Sequence, residues 1–197
     1  NPGFFQGADE LAVTTWDILS GQVAVGENVL FYDDEGGHEA LSAAEFAANR
    51  AKHLEFVTPE RVLGVDVGGL NYPGFYKAFY LAKVTQTLNL RLQSLARDGN
   101  QIVARFKNDY DKSTVERRID QVIACHGSLP ADGIYFELKS RSRNRGEIDY
   151  DAFIRLRPQS LATNADGKFQ LFRVGDAVAS RNIHAALYDS LRLCSVF

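Results

Sequence analysis

Two short apolar strands flank one amphipathic helix in the first third of the chain, and this order restricts the fold more than any other feature. Residues 28–32 (NVLFY) and His53–Val57 (HLEFV) have the composition of buried strands, while residues 38–50 repeat apolar side chains at helical spacing. A strand–helix–strand unit of this length pairs its strands in parallel through a right-handed crossover. The sequence therefore predicts an α/β fold that contains a Rossmann-like βαβ unit.

A three-stranded β-meander is predicted to follow this unit. Residues 90–97 and Gln101–Asn108 flank Asp98-Gly99, a dipeptide typical of tight hairpin turns, and residues 115–125 can form one or two more strands. Near the end of the chain an apolar stretch, 169–174, runs into Gly175-Asp176 and then into a helix. This order predicts a glutathione-reductase-type NAD(P)-binding domain, followed by a C-terminal strand and helix of an FAD- or ADP-type domain.

Composition excludes several function classes. The 197 residues carry a net charge of −3, and the aromatic residues are not interleaved with the cations, so we expect no nucleic-acid partner. No apolar run is long enough to span a membrane, so we expect no membrane partner. Two cysteines cannot build a structural zinc site or an iron–sulfur cluster by themselves. Since no nucleophile–base set is apparent either, we predict no catalytic residue and no metal ligand in this chain.

The loop after the first strand lies where a Rossmann fold binds the pyrophosphate of a dinucleotide. In the best register Glu35, Gly37 and Ala40 take the three glycine places of the G-x-G-x-x-G pattern, so only one of them is a glycine. The acidic run 33–35 (DDE) would also face an anionic ligand, and like charges oppose its binding. We therefore expect a poor NAD(P)H site. The candidate cofactor contacts in this loop are Gly36, Gly37 and His38.

Two later motifs supply further candidates. The apolar stretch 119–125 leads into Ala-x-x-Gly-x-x-Pro, which places a glycine just beyond the carboxyl end of a strand. In Gly175-Asp176 the glycine lets a ligand approach the backbone, the carboxylate can accept hydrogen bonds from sugar hydroxyls, and the following helix presents amides to a phosphate. The candidate cofactor contacts here are Gly127, Gly175, Asp176, Ile183 and His184.

The stretch 139–145 (KSRSRNR) holds four cations in seven residues. A solvated loop is one interpretation of such a run. A surface for an acidic partner, or for nucleotide phosphates, is the alternative.

Five stretches carry a resemblance to a known family. They are residues 15–21 (TWDILSG), 28–34 (NVLFYDD), 68–73 (GGLNYP), 138–139 (LK) together with 142–144 (SRN), and 175–186 (GDAVASRNIHAA). These stretches resemble the C-terminal part of the multidomain flavoproteins that include trimethylamine dehydrogenase, histamine dehydrogenase and 2,4-dienoyl-CoA reductase. They are most similar to the members that resemble dimethylglycine or N-methylproline demethylases, and the resemblance covers essentially the whole chain.

The resemblance implies a larger protein with an FMN-bearing TIM barrel, a 4Fe-4S cluster held by four cysteines, and two dinucleotide-type domains. It implies that residues 1–20 are a linker from the FAD/ADP-type domain, 21–130 the NAD(P)H-like Rossmann domain, and 131–197 a connector and return into the FAD/ADP-type domain. FAD or ADP would then be held partly by this chain, and FMN and the cluster by the rest. The chain contains no Met and starts Asn1-Pro2-Gly3, which favours a piece of that larger protein, whose remainder is the expected partner.

Two branches of the family differ in the direction of electron flow. In the reductase branch NADPH supplies electrons at the Rossmann domain, whereas amine dehydrogenases deliver electrons to an electron-transferring flavoprotein. The acidic loop favours the second branch, so we expect a cytoplasmic flavin-dependent amine dehydrogenase or N-demethylase, with this segment inactive by itself. Two alternatives stay open: the NAD(P)H-binding domain of a 2,4-dienoyl-CoA-reductase-like enzyme, and a non-catalytic docking module for an electron-carrier protein.

Overall fold

The structure is a computed structural model that describes residues 6–195, apart from the side chain of Asp9. The chain forms two compact units, Asn1–Gly127 and Ser128–Phe197. The strands formed by residues 6–195 lie in the first unit and are β1 (Ala12–Thr14), β2 (Asn28–Asp33), β3 (His53–Val57), β4 (Thr85–Thr87), β5 (Leu90–Asp98), β6 (Gln101–Asn108), β7 (Thr114–Ile119) and β8 (Gln121–Cys125). Its helices are α1 (Ala8–Leu11), α2 (Thr15–Leu19), α3 (His38–Ala48) and α4 (Tyr72–Leu81).

The strands of the first unit form two sheets. A five-stranded sheet has the order β1-β8-β2-β3-β4, and all of its neighbouring strands pair in parallel. A three-stranded antiparallel sheet has the order β5-β6-β7. The predicted fold class is therefore confirmed, since α3 connects the parallel strands β2 and β3 and the meander follows β4.

The parallel sheet is buried on both faces, and β2 shows how. Because side chains alternate along a strand, Phe31 contributes to a core shared with α3 and α4, and Tyr32 to a core shared with the meander. Both side chains are almost completely buried. Burial on both faces explains why the strand is a continuous apolar run rather than an alternating one.

Apolar residues at helical spacing predict a single helix over residues 10–20, but the structure divides this segment. Ala12–Thr14 pairs with Val122–Ala124 as the edge strand β1, and the helix α2 starts only at Thr15. The side chain of Thr14 accepts from the amide of Asp17, and the Asp17 carboxylate accepts from the amide of Thr14, which forms a capping box. A helix start fixed at this point leaves the residues before it free to extend the sheet.

The second unit contains α5 (Gly133–Leu138), α6 (Tyr150–Ile154) and α7 (Ile183–Cys194), with short 3-10 turns at Lys139–Arg141 and Gly175–Ala177. The strand expected at 169–174 is not formed, because no described strand lies beside it. The side chain of Asn144 bonds both the amide and the carbonyl of Leu171 instead. Among the described residues of this unit, only two apolar side chains are buried, those of Ala152 and Leu193.

The compact units divide at Gly127/Ser128, whereas the boundaries expected at 20/21 and 130/131 concern a larger protein and stay predictions. No helix within residues 6–195 combines the length and the apolar character needed to cross a membrane.

Candidate functional site

The first candidate site lies where β2 and β8 end side by side. Asp33 is opposite Cys125, and the amide of Asp34 donates to the carbonyl of Cys125 over 3.3 Å. The chain leaves β2 for β3 on one side, while β8 lies on the other, so this is the topological switch point of the sheet. Open parallel sheets bind ligands at such a point, outside the carboxyl ends of the strands.

A carboxylate of the chain itself takes up the amides at this turn. The amides of Glu35 and Gly36 both donate to Oδ1 of Asp33, each over 3.0 Å. The Asp33 side chain is completely buried, and its Oδ2 has no hydrogen-bond partner within residues 6–195. Two amides that could bind a phosphate are therefore already satisfied by an anion, and a second anion would meet the Asp33 charge.

The two glycines of this loop serve its own packing. Gly36 has a φ of +77°, and a Cβ there would lie 2.6 Å from Val65 Cγ1. Its carbonyl accepts the amide of Asp66 over 3.0 Å, so residues 64–66 cover the loop closely. At Gly37 a Cβ would lie 2.6 Å from Oε2 of Glu39, which places that carboxylate over the start of α3. An anionic ligand at this helix N-terminus would be opposed by Glu39 as well.

Two residues of β8 and its extension close the same turn. His126 Nδ1 lies 2.5 Å from Oδ1 of Asp34, and the Cys125 thiol donates to Oε2 of Glu35 over 3.3 Å. Burial raises the pKa of the Cys125 thiol, and the charges of Asp33 and Glu35 raise it further, so the sulfur is protonated and unreactive. Sequence reasoning missed this cluster because it treated the two strand ends separately.

Burial also raises the pKa of Asp33 to about 6 from its usual 3.8, against the opposing effect of the two amides. Because the folded state holds this proton more tightly, stability is expected to fall by about 3 kcal/mol as the pH rises from about 4 to 6, and to change no further above it. Asp33→Asn should remove this dependence. The measurement is urea unfolding from pH 4 to 7.5, with exposed Asp66→Asn as control; a stability difference between Asp33→Asn and wild type that is flat over this range would contradict the assignment.

His38, the third candidate of this loop, points elsewhere. It is the first residue of α3, is exposed, and its ring lies 6.1 Å from that of Phe75. Together with Glu45, Asn71 and Gly74 these two side chains line an open cavity between α3 and α4. His38 therefore lies beside the switch point rather than over it.

The remaining candidates concern the second unit or border it. Gly175 is buried with a φ of +60°, and a Cβ there would lie 3.1 Å from the Cβ of Ala186 in α7. Asp176 is exposed and lines a shallow cavity with residues 128–131. Gly127, also at positive φ, is the residue before this stretch. The structure thus brings the Gly-Asp motif beside the segment that follows Gly127.

Helix α7 (Ile183–Cys194) follows the turn Gly175–Ala177 in the sequence. The side chain of Asn182 caps the amide of Ala185 over 2.9 Å. The first amides of any helix have no intrahelical acceptor, so those of Ile183 and His184 stay available to an anion. Both side chains are exposed. The residues at this turn therefore fit one part of an FAD or ADP site, whereas those at the start of α3 do not fit a pyrophosphate. Within the described part of the chain no three His, Cys, Asp or Glu side chains are grouped to hold a metal.

Comparison with known proteins gives close relatives. No family model matches the chain. A protein of Rhizobium meliloti (strain 1021) named "Probable N-methylproline demethylase" is 47% identical over 185 residues, which are 94% of this chain and 27% of that protein. An N,N-dimethylglycine/sarcosine dehydrogenase of Chromohalobacter salexigens is 42% identical over 191 residues, 95% of this chain and 28% of that protein. Both relatives are oxidoreductases by name.

A solved structure shows the same fold. Histamine dehydrogenase from Rhizobium sp. 4-9 superposes with a TM-score of 0.69 at 18% identity, over 92% of this chain and 25% of that one. The chain thus spans about a quarter of the length of the curated relatives it matches.

Proposed function

Since this chain belongs to the family of the N-methylproline demethylase and the N,N-dimethylglycine/sarcosine dehydrogenase, we propose that it is a nucleotide-binding segment of a larger flavin-dependent oxidoreductase that acts on N-methylated amines. The observation that carries the proposal is the 47% identity over 185 residues to the demethylase. Identity at that level along 94% of the chain favours the same general reaction in the larger protein.

The proposed reaction is oxidative N-demethylation or dehydrogenation. Removal of a methyl group takes two electrons and two protons from the N–CH3 unit and water, and releases the carbon as formaldehyde. An electron acceptor is therefore required, and we propose that it is a protein, an electron-transferring flavoprotein, rather than NAD(P)+. The support is the switch point, where Asp33 satisfies the amides and Glu39 covers the start of α3.

The cofactor sites are divided between this segment and the remainder of the larger protein in this proposal. We propose that Gly175, Asp176 and the start of α7 contribute part of an FAD or ADP site, since one exposed carboxylate and two unused amides lie there. The other part of that site, an FMN barrel and a 4Fe-4S cluster are assigned to the remainder of the larger protein, which is cytoplasmic in this proposal. The redox chemistry then belongs to those groups, so this segment alone has no turnover.

Turnover by the full-length protein tests the proposal. The purified enzyme is expected to release formaldehyde from N-methylproline, N,N-dimethylglycine or sarcosine, and to reduce one molecule of a small two-electron redox dye for each formaldehyde released. The matched control is the same assay with each amine lacking its methyl groups, proline or glycine, which should give no formaldehyde. Absence of turnover with every methylated amine would overturn the proposal.

The runner-up function is an NAD(P)H-dependent reductase of the 2,4-dienoyl-CoA reductase type. The parallel sheet and its meander favour it, because they have the topology of an NAD(P)-binding domain. It predicts oxidation of NADPH by an enoyl substrate in the same preparation. That result, without formaldehyde release, would replace the amine proposal.

A further inference from the structure

Three arginines of the second unit alternate with buried polar residues. Ser142 and Asn144 are completely buried, while Arg141, Arg143 and Arg145 on either side of them are exposed. The alternation holds although the segment forms only a 3-10 turn at its start. Three guanidinium groups are therefore directed to solvent from one short stretch, which we call the arginine segment (residues 141–145).

Hydrogen bonds hold the backbone of the arginine segment in place. The Asn144 side chain bonds Glu147 and Leu171, and the Ser142 hydroxyl donates to the Lys139 carbonyl and accepts the Gly146 amide. The amide of Arg143 donates to the carbonyl of Phe169 over 2.7 Å, and its carbonyl accepts the amide of Asn164 over 2.9 Å.

The turn at Gly167 packs closely against the arginine segment and restrains its backbone further. A Cβ at Gly167 would lie 2.4 Å from the Arg143 nitrogen and 2.5 Å from its Cα, so only glycine fits beside the segment. A charged loop that merely kept the protein in solution would need no such support. Since the backbone is already ordered, a partner that binds the three arginines has less entropy to overcome.

The three guanidinium groups have no carboxylate partner among the described residues. Glu137 and Glu147 flank the segment, and neither forms a salt bridge with it. Elsewhere in the same unit, three arginines form salt bridges with carboxylates: Arg155 pairs with Asp151, Arg173 with Asp132 and Arg181 with Asp189. In the first unit Arg91, Arg105, Arg117 and Arg118 are paired as well, whereas Arg50, Arg61 and Arg97 form no salt bridge with a described residue.

We propose that the arginine segment is a docking surface for an acidic face of the protein that accepts electrons from the larger enzyme. The inference rests on the proposed function and deepens it, because it names the contact. A planar guanidinium can bind a carboxylate through two hydrogen bonds, so three such groups on an ordered backbone fit a row of acidic side chains. The chain as a whole is acidic at −3, so the cations are a local feature and not a general affinity for anions.

The test uses the full-length enzyme with Arg141→Glu, Arg143→Glu and Arg145→Glu combined. A matched control reverses three exposed cations of the first unit that have no salt bridge, Lys77→Glu, Arg97→Glu and Lys107→Glu, and changes the net charge equally. The probe is the electron-transferring flavoprotein of the same organism. The KM for this flavoprotein and its binding to the enzyme are measured at low salt and at about 0.3 M salt. Turnover with the small dye is measured in the same preparations.

The arginine variant is expected to raise the KM for the flavoprotein by about tenfold or more at low salt, with a smaller effect at high salt. Turnover with the dye, the flavin content and the melting temperature should equal those of the wild type, and the control variant should change the KM much less. Equal effects of the two variants would overturn the docking surface. A lower flavin content or melting temperature in the arginine variant would also overturn it, by assigning the arginines to the enzyme's own remainder.

Failure of the proposed function gives a different pattern. A wild-type enzyme that binds the flavoprotein through the arginine segment, but oxidises no methylated amine, would overturn the proposed function and leave the docking surface. A wild-type enzyme that reduces the dye with amine, but neither binds nor reduces the flavoprotein, would overturn the docking surface and leave the amine chemistry.

Discussion

Titration of the protein with NADH or NADPH is expected to give no saturable binding, with a Kd weaker than about 1 mM. The reason is local, because the turn after β2 already binds an anion of its own. Asp33 accepts both amides, and the Glu39 carboxylate covers the start of α3. A pyrophosphate would have to displace one buried carboxylate and approach another.

Calorimetric titration in parallel with ADP and FAD checks this result, because these ligands address the turn at Gly175-Asp176 instead. Tight binding of NADH or NADPH would contradict the interpretation of the switch point. In that case the Gly37→Ala variant tests whether the nucleotide binds at the turn after β2. A Cβ at Gly37 clashes only with the end of the flexible Glu39 side chain, so the fold should tolerate this substitution. A phosphate bound at the Gly37 amide would instead collide with the added methyl group, and its binding would be weakened.

Phe56→Ala is expected to lower the free energy of unfolding of the first unit by about 3–5 kcal/mol. Phe56 is fully buried in β3 and lies between two other aromatic rings. Its ring centroid is 5.2 Å from that of Phe31 in β2 and 5.9 Å from that of Phe79 in α4. Removal of the ring leaves a cavity where the sheet meets its helices, and neither neighbour can close it without leaving its own strand or helix position.

The measurement is urea unfolding followed by circular dichroism. Tyr80→Ala is the control, since Tyr80 lies one residue beyond Phe79 on the same helix but is 72% exposed. The control should change stability by less than about 0.5 kcal/mol. A loss at Phe56 as small as that at Tyr80 would show that the sheet and α4 do not share one core.

The elements that periodicity defines could be predicted from the sequence. The sequence predicts a helix at Tyr72–Leu81 as well as the strand at His53–Val57, and both are confirmed with these bounds as α4 and β3. These elements have strong local patterns and bury one face or both. Strand β1 could not be predicted, because three residues carry no periodicity and only the distant partner β8 makes them a strand.

The candidate site shows the same limit. The acidic loop and its poor fit to a pyrophosphate could be inferred from 33–35 alone, since charge is a property of composition. The bonds from His126 to Asp34 and from Cys125 to Glu35 depend on β2 and β8 being neighbours. That adjacency follows from the crossover topology, which a linear pattern does not state. The contacts named at Gly36, Gly37, His38, Gly127, Gly175, Asp176, Ile183 and His184 stay predictions.

The position of β8 between β1 and β2 has a consequence for the order of folding. The pairing of Ala12 with Val122 joins residues 110 positions apart (12 to 122), whereas the hairpin of β5 and β6 closes within a few residues of Gly99. Loop closure makes distant contacts slow and local hairpins fast. The meander should therefore form early, and the parallel sheet should be completed only when β8, the last strand, inserts between β1 and β2. Pulse-labelled hydrogen exchange should show protection of β6 amides before those of β8, and during synthesis the switch-point cluster cannot assemble until residue 126 has left the ribosome.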